Sequence, residues 1–270
     1  MGVSPRATLL ACAIMIAGCS NGPGSARPSP EVPGHEVTSS PQAAPTRAVP
    51  RSVVALGDSV PEGAGCGCDP YPELTAKALT VPGTRHVAAT NEAVGGYTSS
   101  DVLAQLRAKS KVAANVAKAD AVDVEVGAND VSFDRSCGTS TACYEKQIPK
   151  LEHNLSAIVS RVHELTEGRE VLVVLLDYWS VWLGGRYAKE QGSAYVHAAS
   201  EMTDEVNGII RKTASATGSA YVDLRAAFKG PDYAYDETHY LSGDGDHPNA
   251  AGHQQISAAT VNVIDKTLHP

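Results

Sequence analysis

Five polar positions, far apart in a chain of 270 residues, have the types that acyl transfer requires. Ser59 stands in Gly57-Asp58-Ser59-Val60, directly after the unbroken apolar run Val53–Leu56. A serine hydroxyl becomes a useful nucleophile only when a neighbouring base takes its proton. His247, within Asp244-Gly245-Asp246-His247-Pro248-Asn249, is the best base available. Imidazole titrates near neutral pH and can return the proton to a leaving group. Asp244, three residues earlier on a turn, can fold over the same ring and fix its tautomer, whereas the side chain of adjacent Asp246 diverges. The charge that develops on a carbonyl oxygen needs hydrogen-bond donors. Three are on offer: the backbone N–H of Ser59, a glycine N–H within Asn91–Thr98 (Gly96 in preference to Gly95), and the side-chain amide of Asn129 in Gly127-Ala128-Asn129-Asp130.

These groups must be carried to one place, and the alternation of elements says how. Short β-rich runs at Val53–Leu56, His86–Thr90, Ala121–Val126, Val171–Leu176 and Ala220–Leu224 are separated by helix-like stretches. The helices are expected at Tyr71–Leu79, about Ser100–Lys109, Tyr144–Glu167, Ala194–Ala216 and Ala250–Leu268. Continuous apolar strands between helices indicate a parallel sheet covered on both faces, an α/β/α arrangement. All strand C-terminal ends then lie along one edge, where open α/β sheets bind ligands. Ser59 follows the first strand, Gly96 the second, Asn129 the third and His247 the fifth.

Singly, each block is ordinary turn or helix-entry chemistry. Four ordered blocks at four strand ends are a joint signal. Together "GDSV", the glycine in "NEAVGGYT", "GAND" and "DGDHPN" resemble the sequence blocks of the SGNH/GDSL hydrolase family, from Val53 to about Ile256. The resemblance implies a three-layer sandwich on a flavodoxin-like five-stranded parallel sheet, esterase, lipase or thioesterase activity, and no cofactor. It makes Ser59 the nucleophile, Asp244 and His247 the acid and base, and Ser59, Gly96 and Asn129 the oxyanion hole. Val60 stands where many members have Leu or Tyr, which leaves the chemistry untouched.

The N-terminus suggests export. A short basic start and the small-apolar run Ala7–Ala17 are too brief to span a bilayer and read as a leader, residues 1–18. The leader ends in Ile16-Ala17-Gly18-Cys19, which resembles a bacterial lipobox and implies a lipid on Cys19 and anchorage outside the cell membrane; plain secretion is the alternative. Residues 19–50, rich in Pro, Ser, Gly and Ala, read as a disordered tether, and 51–270 as the hydrolase domain. Without Cys12 and Cys19, four cysteines remain, an even number for an exported domain. Cys137 and Cys143 flank a short loop and are expected to pair. Cys66 and Cys68 either pair with each other or cross to the neighbouring loop.

With 22 Lys and Arg against 30 Asp and Glu, the net charge of −8 argues against nucleic-acid binding. No histidine pairs with a Cys or carboxylate at metal-ligand spacing, so no metal is expected. A monomer acting on an ester, in envelope lipids or acylated glycans, is the expectation. The aromatic segment containing Tyr178, Trp179, Trp182 and Tyr187 is either a pocket wall or a packed lid. An acyltransferase with the same triad, or a non-catalytic glycan- or lipid-binding lipoprotein, are the competing functions.

Overall fold

The computed structural model describes residues 48–107 and 109–269. The expected leader, the expected lipidation site Cys19 and the expected tether up to residue 47 lie outside the described residues. Five strands follow in chain order: β1 (Ser52–Gly57), β2 (Ala88–Asn91), β3 (Ala121–Glu125), β4 (Leu172–Leu176) and β5 (Ala220–Val222). The α-helices are α1 (Ser59–Glu62), α2 (Tyr71–Leu79), α3 (Ser99–Arg107), α4 (Lys111–Val116), α5 (Ile148–Leu165), α6 (Gly185–Glu190), α7 (Ser193–Thr217), α8 (Leu224–Lys229) and α9 (Ala250–Leu268).

The sheet order is β2-β1-β3-β4-β5, with every neighbouring pair parallel. This is a doubly wound order, and the chain reverses its direction of progress between β1 and β3. Helices α2, α9 and α8 pack together as one layer, and α3, α5 and α7 as the other. Each long helix presents an apolar stripe to the sheet. In α5 the stripe is Leu151, Leu155, Ile158, Val159 and Val162, all buried at helical spacing. Helix α9 begins where Asn249 caps it, its side-chain oxygen accepting from Ala251 N at 2.9 Å and Gly252 N at 3.1 Å.

The expected elements are present. Tyr71–Leu79 and Ala250–Leu268 agree to the residue, while β2 begins two residues later than expected and runs to Asn91. That strand is at the sheet edge and half-exposed, so its apolar signal is weak. The expected helix at Tyr144–Glu167 starts as a 3₁₀ turn, Glu145–Gln147, before α5. Helices α4, α6 and α8 were not expected; each has six residues, too few for periodicity to register.

The buried face of β3 departs from an apolar core. Asp123 and Glu125 lie on one side of the strand, both 0% exposed. None of their four carboxylate oxygens has a hydrogen-bond partner among the described residues. Burial pushes the Asp123 carboxyl from its ordinary 3.8 up to about 7. Burial, reinforced by the nearby Asp58, raises Glu125 well above its usual range. Below pH 3.8 the folded and unfolded chains both hold the Asp123 proton; from there to about pH 7 only the folded chain keeps it. Folding therefore loses stability as pH rises through that window. We predict that urea unfolding midpoints fall as pH rises between about 4 and about 7, and that Asp123→Asn makes the decline shallower. An unchanged slope in the variant would show that Asp123 is not protonated in the fold.

Candidate active site

The turn that carries Ser59 is built by a close approach of β1 to β3. At Gly57 the backbone has φ +150°, and a Cβ there would sit 2.0 Å from the Glu125 carbonyl oxygen. Only glycine fits. Asp58 N–H then donates to that same carbonyl at 3.2 Å, and the chain turns directly into α1, which begins at Ser59. The Asp58 side chain is buried. Its Oδ1 accepts Val60 N–H at 3.1 Å, and its Oδ2 accepts the Tyr178 hydroxyl at 2.6 Å. Burial raises its carboxyl to about 7, although the bonds from Tyr178 and Val60 pull the other way. Asp58 is thus a brace that ties the serine turn to the segment after β4.

The loop before α9 presents the second pair. Asp244 Oδ2 lies 2.9 Å from His247 Nδ1. Asp244 Oδ1 accepts the backbone N–H groups of Asp246 at 3.0 Å and His247 at 3.1 Å. Partial burial pushes the Asp244 carboxyl up, but the His247 ring and the two backbone donors outweigh it and hold it below the usual range. An ionised Asp244 accepts hydrogen bonds only, so Nδ1 is the donor of this bond, and in the neutral ring Nε2 has the free lone pair. Tyr187, from the aromatic segment, lies under this loop: a Cβ at Gly245 would meet its Cγ at 2.4 Å. The Gly245 carbonyl also accepts Gly184 N–H at 2.9 Å.

Two further strand ends are fixed by hydrogen bonds. Val94 N–H donates to Gly57 O at 3.1 Å, and Asn91 Nδ2 to Pro61 O at 2.6 Å, which clamps the segment after β2 onto the serine turn. Asn129 Nδ2 donates to Tyr97 O at 3.0 Å, and its second hydrogen has no acceptor among the described hydrogen bonds. Asp130 accepts the Ser99 N–H at 2.8 Å and the Ser99 hydroxyl at 2.6 Å, and Asn154 donates to that hydroxyl at 2.9 Å. The backbone N–H groups of Ser59 and Gly96 donate to nothing among the described hydrogen bonds.

Ser59, Asn129 and His247 line one cavity of about 440 Å³. Gly96 is not part of its lining and joins the group through the Tyr97–Asn129 bond. Ser59 Oγ and His247 line the same cavity and make no mutual hydrogen bond among those described. Of the four candidate wall residues in the aromatic segment, three line the cavity and Tyr187 does not. Tyr178, Trp179 and Trp182 line the cavity yet are almost wholly buried. Trp182 Nε1 donates to Val131 O at 2.7 Å, and Phe133 packs edge-on to its ring at 5.0 Å. Sequence reasoning missed the cavity residues Phe133 and Arg135, which come from the loop after Asn129, where no motif or periodicity marks them. Gln191 and Tyr195 close the aromatic segment, and Asp246 stands in the block before α9.

Cys137 pairs with Cys143 at a Cα separation of 5.8 Å, and Cys66 pairs with Cys68 at 5.2 Å rather than crossing to another loop. His253 is buried in α9 and accepts Tyr71 N–H on Nδ1 at 3.2 Å. Among the described residues, Cys66, Cys68 and His253 are the one group with three potential metal-ligating atoms within 4.8 Å. The two sulfurs are bonded to each other, which removes the thiolates a metal would need.

A family model described as GDSL-like Lipase/Acylhydrolase matches residues 55–255. The chain belongs to this family. It is 30% identical over 203 residues to a lipase of Streptomyces rimosus, covering 66% of this chain and 71% of that one. Among solved structures, the lipase Lip_vut3 from a goat rumen metagenome matches with a TM-score of 0.62 at 21% identity, over 78% of this chain and 96% of that one. The acetylxylan esterase Axe2 of Geobacillus stearothermophilus matches at 0.57 and 21% identity, over 79% and 93%. A phospholipase A1 from Streptomyces albidoflavus NA297 matches at 0.55 and 24% identity, over 80% and 98%. At those identities the structural likeness establishes the α/β fold; membership of the GDSL-like family makes the chain a carboxylic ester hydrolase.

In this GDSL-type site the brace can be tested apart from the chemistry. Tyr178→Phe leaves Asp58 Oδ2 buried without its donor, a loss expected to cost about 1–3 kcal/mol in urea unfolding. Stability equal to the parent would show that the Tyr178–Asp58 bond does not hold the turn.

Proposed function

We propose that the protein hydrolyses carboxylic esters through an acyl-enzyme on Ser59. The observation that carries this is that His247, 2.9 Å from Asp244 through its Nδ1, lines the same cavity as Ser59 and Asn129. His247 Nε2 takes the Ser59 hydroxyl proton as Oγ attacks the ester carbonyl. The tetrahedral oxyanion receives the N–H groups of Ser59 and Gly96 and the second Nδ2 hydrogen of Asn129. The imidazolium, steadied by ionised Asp244, then gives its proton to the leaving alcohol. Water repeats the sequence with His247 as base and frees the acid.

The cavity wall suits an ester with one apolar and one polar arm. Phe133, Trp182 and Tyr195 offer an aromatic surface for an acyl chain, while Arg135, Gln191 and Asp246 offer polar contacts for the alcohol part. We infer a substrate among envelope lipids or acylated glycans. This fits a protein exported by its leader and held outside the membrane through Cys19, with disulfides formed in that compartment.

Turnover of p-nitrophenyl acetate, butyrate and octanoate tests the assignment. Ser59→Ala is expected to abolish it by several orders of magnitude. Asn129→Ala should lower kcat about 10²–10³-fold with little change in KM. Activity surviving in Ser59→Ala would overturn the nucleophile.

A further inference from the structure

Between α1 and α2 the chain brings a cysteine pair, a buried imidazole and the Asp244–His247 pair into one neighbourhood. Cys66 and Cys68 are bridged across a single residue, and both are half-buried. His253 is 0% exposed, and a ring nitrogen of it and the two sulfurs lie within 4.8 Å of one another. Its Nδ1 is occupied by Tyr71 N–H. The ring is neutral, because burial, with a smaller push from His247, holds it down at about 4. Its proton is therefore on Nε2, which has no partner among the described hydrogen bonds. A buried donor without an acceptor is costly, and a thiolate released beside it would supply one.

The same loop abuts the catalytic pair. Gly65, next to the bridge, lies so close that a Cβ would sit 2.9 Å from Asp244 Oδ2 and 3.2 Å from His247 Cβ. The Gly65 carbonyl accepts the Ser242 hydroxyl at 3.0 Å, and Ser242 N–H donates to His247 O at 2.8 Å. The bridge holds residues 66–68 in one short ring, and so holds Gly65 against the pair.

We propose that Cys66–Cys68 is a thiol–disulfide exchange site that takes a dithiol, and that its state sets the alignment of Asp244 with His247. The second half rests on the ester-hydrolase reading above. A dithiol thiolate attacks one bridge sulfur, forms a mixed disulfide and expels the other sulfur as a thiolate, to which His253 Nε2–H donates. The reagent's second thiolate then attacks its own sulfur in the mixed disulfide and expels the remaining cysteine. The dithiol leaves as a cyclic disulfide, and its two electrons and two protons have passed to Cys66 and Cys68.

The test titrates the oxidised chain with dithiothreitol. One aliquot is alkylated and mapped by mass spectrometry; another is freed of reagent and assayed on p-nitrophenyl butyrate. Cys66 and Cys68 should open before Cys137 and Cys143, and kcat should fall at least about tenfold in proportion, returning on reoxidation. His253→Leu should slow the opening several-fold at an unfolding midpoint that confirms a folded protein. The double variant Cys66→Ser, Cys68→Ser should work at the reduced rate and ignore the dithiol, while Cys137→Ser, Cys143→Ser keeps the response. Unchanged kcat with Cys66 and Cys68 fully opened, or prior opening of Cys137–Cys143, would overturn the proposal. No ester turnover by the oxidised chain would instead sink the hydrolase reading, with the cysteine map still reporting on the exchange site.

Discussion

Asp244 is an exposed carboxylate with every reason to wander, and the loop does not let it. One oxygen is held by two backbone N–H groups, 3.0 and 3.1 Å away, and the other is left for the His247 ring at 2.9 Å. The side chain is 43% exposed, so the pair adds little to stability. Its value is orientation. A carboxylate fixed in this way decides which imidazole nitrogen carries the proton, and hence which nitrogen is a base. The cavity, the serine turn and the oxyanion donors matter to the proposed chemistry only once that choice is made.

The surrounding structure spends buried polar groups to hold the remaining parts. Gly57 lets β1 touch the Glu125 carbonyl, and Asp58 reaches from that turn to Tyr178 beyond β4. Asp130, Ser99 and Asn154 lock the segment that carries Asn129 to the helices behind it. These bonds join separate strand ends, so no one loop can shift alone. The interior beside these bonds holds carboxyls that burial raises, Asp58 and Asp123 to about 7 and Glu125 well above its usual range.

The sheet and its long helices were legible because they are periodic: five apolar runs, and stripes such as Leu151 to Val162 in α5. Ser59, Asn129, Asp244 and His247 were legible because each follows a strand in a short polar block, and the fold collects strand ends. What the chain did not disclose depends on distant contacts. Nothing local marks Phe133 or Arg135 as neighbours of Ser59. Nothing local places His253 of α9 beside Cys66 and Cys68, across an interval of 185 residues from the nearer of the two. Helices of six residues left too short a pattern to read.

The central claim is that one hydroxyl, raised to reactivity by His247, carries the acyl group. Exposure of the intact protein to diisopropyl fluorophosphate, followed by peptide mass spectrometry, tests it most directly, because that reagent records which serine is activated. The account predicts a single phosphoryl adduct on Ser59, with loss of ester turnover in step with labelling. Full labelling at any other serine, or complete loss of turnover with Ser59 unmodified, would contradict it.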